Sequence, residues 1–249
     1  MKKLIIDIKN QFKKSKVFNF NVVNRDNWIK KEAAKIPKGL KILDVGAGSS
    51  PYRNLFKHCE YITQDFCQLD PKQLRFGVGY TAIDIISEAH KIPLPDNSMD
   101  VIILTEVIEH VPFPIEVIKE ASRLLRKDGK ILITAPLGSG LHQQPFHFYG
   151  GYTPFWYDKF LSEFHFNKIK IEPNGNFFKF FGQEFQRFIQ LTNPLRFPNF
   201  FFLKIIWLPI WIFLLPFWII VPFFCHLIDN NDIDKTFTVG YHVVAIKND

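Results

Sequence analysis

Short apolar runs alternate with polar, helix-compatible stretches over the first two-thirds of the chain. Lys41-Ile42-Leu43-Asp44-Val45 reads as a buried strand, broken by Gly46-Ala47-Gly48. Further strands are predicted at Tyr61 to Gln64, ending at Asp65; around Tyr80 to Ile83, ending at Asp84; and at Met99 to Leu104, apolar except for Asp100. A fifth is predicted at Ile131 to Thr134, and two more at Asn167 to Ile171 and Thr238 to Ile246. Helical stretches fall between them. One runs from Arg25 to Lys35 and stops at Pro37 and Gly39; one starts near Tyr52; one starts at Pro114, a residue suited to a first helical turn, and runs to about Leu125. Lys127-Asp128-Gly129 is a turn signal. Strands alternating with helices imply a mostly parallel α/β sheet with helices on both faces. Such sheets bind ligands beyond the carboxyl ends of their strands, and Asp44, Asp65, Asp84 and Thr105 all sit at or just past such ends.

Composition narrows the class. With 249 residues, 47% of them apolar, one α/β domain can bury a large core. The whole of 1–249 is expected to be a single domain, with 1–24 a basic extension and 174–235 an apolar insertion before the last strand. The net charge of +7 suits either an anionic neighbour or simply a lysine-rich solvated surface. Three widely separated cysteines, Cys59, Cys67 and Cys225, have neither metal-ligand nor disulfide spacing, so no metal site is expected and a reducing compartment is. The first residues carry no apolar run long enough for a signal peptide, so a cytoplasmic location is expected.

The glycine turn and the strand-end acids are the first chemical candidates. Gly46 and Gly48 allow positive φ and close backbone approach to a ligand. A dinucleotide fingerprint wants a third small residue at position 51, where this chain has Pro51. Proline removes an amide donor that would face a diphosphate, which disfavours a nicotinamide dehydrogenase. Asp65 is placed to accept from two ribose hydroxyls and Asp84 from an adenine amino group, with Ile85 packed on the ring. Asp44 would orient the glycine loop or hold an ammonium group. Taken singly, each acid also reads as a solvated loop carboxylate, and the turn as a purely structural one.

Four stretches in order resemble the type 11 group of class I S-adenosylmethionine-dependent methyltransferases. They are Leu43-Asp44-Val45-Gly46-Ala47-Gly48; Ile92-Pro93-Leu94-Pro95-Asp96-Asn97-Ser98-Met99-Asp100; Leu104-Thr105-Glu106-Val107-Ile108-Glu109-His110-Val111; and Leu124 to Ile131, where the group usually has Pro-Gly-Gly in the turn. The resemblance covers about Ile42 to Pro136. It implies a Rossmann-like seven-stranded sheet with an antiparallel last strand, S-adenosyl-L-methionine as cofactor, and Gly46, Ala47, Gly48, Asp65, Phe66, Asp84, Ile85 and Thr105 around it. Glu106 and Glu109 would hold the cofactor's amino group or the acceptor, or only favour the start of the following helix. His142, Pro145-Phe146-His147-Phe148 and Tyr152 are similar to a narrower branch whose members look like modifiers of cell-surface glycans or lipids.

A hydroxyl acceptor needs a base active near neutral pH, for which His110, His142 and His147 are the candidates; each also has a structural reading as a backbone-bonded or solvated ring. From Ile205 to Cys225 no residue is charged, but Pro209, Pro216 and Pro222 argue against one straight helix. If the last two strands pair antiparallel, both ends of this insertion lie on one side of any membrane. A re-entrant hairpin, helices in the membrane interface, or a lid or dimer contact then remain. Trp207, Trp211 and Trp218 favour an interface, and Arg187, Arg196 and Lys204 suit anionic lipid. The expected activity is methyl transfer to a small or lipid- or glycan-linked acceptor at the cytosolic membrane face, with peripheral membrane contact. An inactive methyltransferase-like module and a nucleic-acid methyltransferase are the alternatives. No target-base motif of the Asn-Pro-Pro-Tyr kind is present, so nucleic acid is not expected as a partner.

Overall fold

Alternation along the central strands sends side chains to two separate cores. Leu43, Val45, Ile102, Leu104, Ile131, Ile133, Val243 and Ala245 enter one. Their strand neighbours Ile42, Val101, Ile103 and Leu132 enter the other. The computed structural model describes residues 15–196 and 201–248. Its strands are β1 (Lys41–Val45), β2 (Glu60–Asp65), β3 (Ile85–Ile86), β4 (Met99–Thr105), β5 (Leu125–Pro136), β6 (Phe166–Pro173) and β7 (Gly240–Lys247). They form one seven-stranded sheet in the order β3-β2-β1-β4-β5-β7-β6. The pairs from β3 to β5 are parallel, and β7 runs antiparallel to both β5 and β6. This is the Rossmann-like seven-stranded sheet with an antiparallel last strand that the resemblance implies.

Three helices cover the sheet. Helix α1 (Phe20–Ala33) supplies Trp28, Ile29 and Ala33 to one core. Helices α2 (Pro114–Leu124) and α3 (Pro154–Glu163) supply Val117, Ile118, Ala121, Leu124, Tyr157 and Leu161 to the other. Pro114 opens α2 with Glu116 in its first turn, and Thr153 caps α3 by accepting from the Trp156 N–H. Each fully buried Leu or Ile is worth about 1.5–3 kcal/mol, so these two cores hold the strand ends in place.

Three sequence expectations shift. The third strand is not Tyr80 to Ile83 but the two residues Ile85 and Ile86, because 80–84 have no regular partner on the sheet edge. The helix expected from Tyr52 is a short 3-10 turn, Arg53–Phe56. The Lys127-Asp128-Gly129 turn lies inside β5, where Asp128 takes φ +60° and the pairing with β4 slips between Met99 and Val101.

The chain divides into two compact units. Residues 25–173 and 240–248 make up the sheet and its helices. Residues 15–24 and the described part of 174–239 make up the other, built on α4 (Phe177–Leu191), α5 (Phe201–Leu214) and α6 (Phe217–Ile228). In this second unit buried Asp229 accepts the Asn176 and Lys179 N–H groups at the start of α4, at 3.1 and 2.8 Å, and pairs with Lys179 Nζ at 3.2 Å. Gly182 lets α6 approach α4: a Cβ there would stand 3.1 Å from the Pro222 Cα. The Trp207 and Trp211 indoles donate to the Thr192 and Ile189 carbonyls. Among the described residues no single helix is long and apolar enough to cross a membrane; Lys204–Leu214 and Phe217–Asn231 pass that test only together, across a 42° bend.

Candidate active site

A cavity of about 400 Å³ opens at the carboxyl ends of β1, β2 and β4, within the size range of small-ligand pockets, about 300–1,000 Å³. Gly46 and Gly48 form its floor at φ +67° and +51°. A Cβ on Gly46 would lie 2.5 Å from the Val107 Cγ2, so no side chain fits there. Gln64 ties the turn to the segment after β3: its Oε1 accepts from Gly46 N–H, and its Nε2 donates to the Ser87 carbonyl.

Asp65 is buried at the end of β2, with Oδ2 accepting from Gly48 N–H and Oδ1 from Cys67 N–H, both at 2.9 Å. Each oxygen keeps a free lone-pair direction for a ligand hydroxyl. Burial pushes its carboxyl above the ordinary value, and the backbone amides of Cys67, Gly48 and Phe66 work against that rise. Phe66 meets Phe146 edge to face at 5.0 Å across the cavity wall.

The opposite wall is charged. Glu106 follows β4 at φ +55° and pairs with Arg25 at 2.9 Å, while Thr134 Oγ1 donates to it at the same distance. Burial raises the Glu106 carboxyl, yet Arg25 and Thr134 together hold it below its usual range. Arg25 also lines the cavity, and its buried Nε has no hydrogen-bond partner among the described residues. A buried guanidinium donor left open in this way suits a carboxylate.

Three histidines cluster at the mouth. The rings of His110, His142 and His147 stand 4.7, 5.5 and 4.5 Å apart, pair by pair. His110 Nδ1 faces the Phe146 carbonyl at 2.6 Å and His142 Nδ1 the Gly140 carbonyl at 2.9 Å. A carbonyl only accepts, so both Nδ1 atoms carry a proton, and in a neutral ring the lone pair is on Nε2. His147 Nε2 lies 3.1 Å from Ser139 Oγ. Burial lowers His110 to about 4, and burial with His142 nearby lowers His147, so both rings are neutral at pH 7. Behind them Glu109 is fully buried, and neither carboxylate oxygen has a hydrogen-bond partner among the described residues. Burial and the neighbouring Glu106 push its carboxyl far above the ordinary value.

Of the residues the sequence singles out, Gly46, Ala47, Gly48, Asp65, Phe66, Thr105, Glu106, His110 and His142 line the cavity. Asp44, Asp84, Ile85 and His147 do not. Asp44 points to the other face of β1, where the Tyr61 hydroxyl donates to it. Asp84 is taken up by Thr63, whose N–H and Oγ1 donate to it at 2.8 and 2.7 Å, and Ile85 packs into the core. Glu88 and Ala89 line the cavity where Asp84 and Ile85 were expected. Arg25 was also missed, being read only as part of a helix.

Comparison with known proteins agrees with this geometry. The family described as methyltransferase domain matches residues 23–170. A phosphatidylethanolamine N-methyltransferase from Cereibacter sphaeroides is 25% identical over 122 residues, 47% of this chain and 60% of that protein. The structure of Haemonchus contortus phosphoethanolamine N-methyltransferase 2 with S-adenosyl-L-methionine has a TM-score of 0.53 at 16% identity, covering 94% of this chain and 55% of that one. The cyclase SpnF has a TM-score of 0.53 at 15% identity, covering 91% and 82%. The chain thus spans little more than half the length of both N-methyltransferases, and the structural likenesses show a shared fold, which also serves a cyclase.

Proposed function

Because this chain belongs to the methyltransferase-domain family of S-adenosylmethionine-dependent enzymes, we propose that it methylates the polar head of a lipid-linked acceptor at a membrane surface. Bound S-adenosylmethionine supplies an electrophilic methyl group on a sulfonium. The chain's residues fit that group. Asp65 presents two oxygens for ribose hydroxyls, Glu88 lines the wall as a candidate partner for the adenine amino group, and the open Arg25 Nε suits the amino-acid carboxylate. The glycine turn permits close backbone approach. Alignment of donor and acceptor contributes much of such a reaction's acceleration, about 7–11 kcal/mol of barrier at best. Neutral His110 lines the cavity with its lone pair at Nε2, free to engage the acceptor directly or through a group that the ring holds.

The observation that carries the membrane part is the apolar surface of α5 and α6. Ile219, Ile220, Phe223, Phe224 and Leu227 are all exposed and share one stripe of α6, and Ile205, Ile206 and Phe213 are exposed on α5. Exposed apolar stripes of this kind mark interaction surfaces. Flanking basic residues and the net charge of +7 suit an anionic bilayer. The similarity to an enzyme named for phosphatidylethanolamine supports a phospholipid head over a soluble metabolite.

Flotation with anionic vesicles tests the surface. Wild type is expected to float, and a variant with Ile219, Ile220, Phe223 and Phe224 changed to serine to stay in solution, since each buried apolar side chain is worth about 1.5–3 kcal/mol. Methyl transfer from labelled S-adenosylmethionine should then appear on lipid in vesicles and not on free phosphoethanolamine. Transfer to the free head group alone, or equal flotation of both proteins, overturns the reading.

A further inference from the structure

We propose that Glu109, His110 and His142 form a binding site for a divalent transition-metal ion at the wall of the cavity. One ligand atom from each, a carboxylate oxygen and two ring nitrogens, lies within 4.8 Å of the other two. His110 Nε2 is 3.8 Å from Glu109 Oε1. The sequence predicted no metal, but that expectation weighed only cysteine spacing. Here the ligands come from a strand-end turn and from a loop 32 residues later, so no compact motif announces them.

Three independent features favour an ion. Glu109 is fully buried, and neither carboxylate oxygen has a hydrogen-bond partner among the described residues. A buried carboxylate with nothing to bond is costly, about 1–3 kcal/mol or more, and is retained only where something satisfies it. Both histidines are held as metal-bound histidines usually are. Their Nδ1 atoms face backbone carbonyls, which fixes the tautomer and leaves Nε2 of each neutral ring as the ligand atom. The donor set itself, two imidazoles and one carboxylate, is the set of catalytic zinc sites that keep an open coordination position. Imidazole ligands select zinc and its first-row neighbours over magnesium or calcium.

The geometry needs little adjustment. Ligand atoms bound to one zinc at about 2.0–2.1 Å each lie no more than about 4.2 Å apart. His142 is exposed and provides the small closure required. His110 and His142 line the cavity, so the remaining coordination positions face the space where an acceptor sits. An ion there would hold an acceptor oxygen, hydroxyl or phosphate, and fix its orientation. The site stands on this geometry and does not depend on the acceptor being a lipid.

Metal binding to the full chain, stripped by a chelator and titrated with zinc against a chromophoric competitor, tests this directly. Cobalt(II) serves as a spectroscopic probe. One equivalent of zinc per chain is expected, and a cobalt spectrum with the intense visible bands of low coordination number. Glu109→Gln and His142→Ala should each weaken zinc by more than about 100-fold, beyond the 10–100-fold that loss of an outer-shell partner alone costs. His165→Asn, at an exposed histidine outside the cluster, should change nothing. S-adenosylmethionine binding in the two ligand variants reports whether they are folded. Wild-type protein that holds no stoichiometric zinc overturns the site. So does unchanged zinc affinity in both folded ligand variants, with a water molecule then left to satisfy Glu109.

Discussion

Asp65→Asn is expected to weaken S-adenosylmethionine binding by a factor of about 100 or more, measured by calorimetric titration. The carboxylate now accepts from the Gly48 and Cys67 amides, one on each oxygen. An asparagine places an NH2 group against one of these N–H donors, so either the glycine turn or the segment after β2 must move. Two ribose hydroxyls also lose a charged acceptor. Hydrogen bonds to charged groups are worth about 1.5–3 kcal/mol each, and every 1.4 kcal/mol is about tenfold in affinity. Gly46→Ala should give a loss of similar size by a steric route: its Cβ would meet the Val107 side chain at 2.5 Å, at a φ of +67°. Phe66→Ala keeps the turn and removes only a wall, so its loss should be smaller. Affinity within a few-fold of wild type for folded Asp65→Asn would mean that the strand-end acid does not hold the cofactor.

The second large effect concerns stability. Asp44 is 1% exposed, and burial pushes its carboxyl up from 3.8 to about 7, with the Tyr61 hydroxyl pulling the other way and Asp65 adding to the rise. Its other oxygen has no hydrogen-bond partner among the described residues. The folded state therefore holds this proton to higher pH than the unfolded chain does. Stability from this group is complete below about pH 4 and is lost as pH rises through 7. The loss amounts to about 4 kcal/mol, from about 1.36 kcal/mol per pKa unit. Asp44→Asn cannot ionise and keeps an acceptor for Tyr61. Its stability relative to wild type, from urea unfolding, should grow between pH 4 and 7 and level off above. His110 and His242, both lowered to about 4 by burial, act in the opposite sense: they destabilise the fold as pH falls from 6.5 towards 4. Both proteins share them, so the difference between the two curves isolates Asp44. A difference that does not change with pH would mean that Asp44 is already ionised in the folded protein.

The sheet was legible because strand and core signals are local. The runs at 41–45, 99–104 and 131–134 carry their own periodicity, and the glycine turn carries its own backbone requirement. What escaped was long-range. Asp44 and Asp65 look alike as strand-end acids, yet one points behind the sheet and the other into the cavity. The two-residue alternation of β1 settles this only once Ile42 is known to face the α1 side. Asp84 and Glu88 compete for one position across a loop, and the choice turns on whether 80–84 or 85–86 pairs with β2. Arg25 reaches the site from a helix before the first strand, and no spacing rule connects it to Glu106, 81 residues later. Glu109 reads as an ordinary helix-start acid until its burial without a partner is seen.

The antiparallel pairing of Pro173 with Tyr241 has a consequence for how the protein is made. Seen from the sheet, everything between those two residues is the turn of one hairpin. Closing a loop of about 66 residues instead of a four-residue turn costs only about 2.5 kcal/mol in chain entropy, so the sheet tolerates a large cargo at this point. The cost is temporal. β7 belongs between β5 and β6, but it follows the apolar segment in the chain. During synthesis the ribosome must deliver that whole segment before the sheet can close. The open edge of β5 and the uncovered apolar helices therefore coexist for a few seconds at about 5–20 residues per second. Both surfaces stand open to binding in that interval.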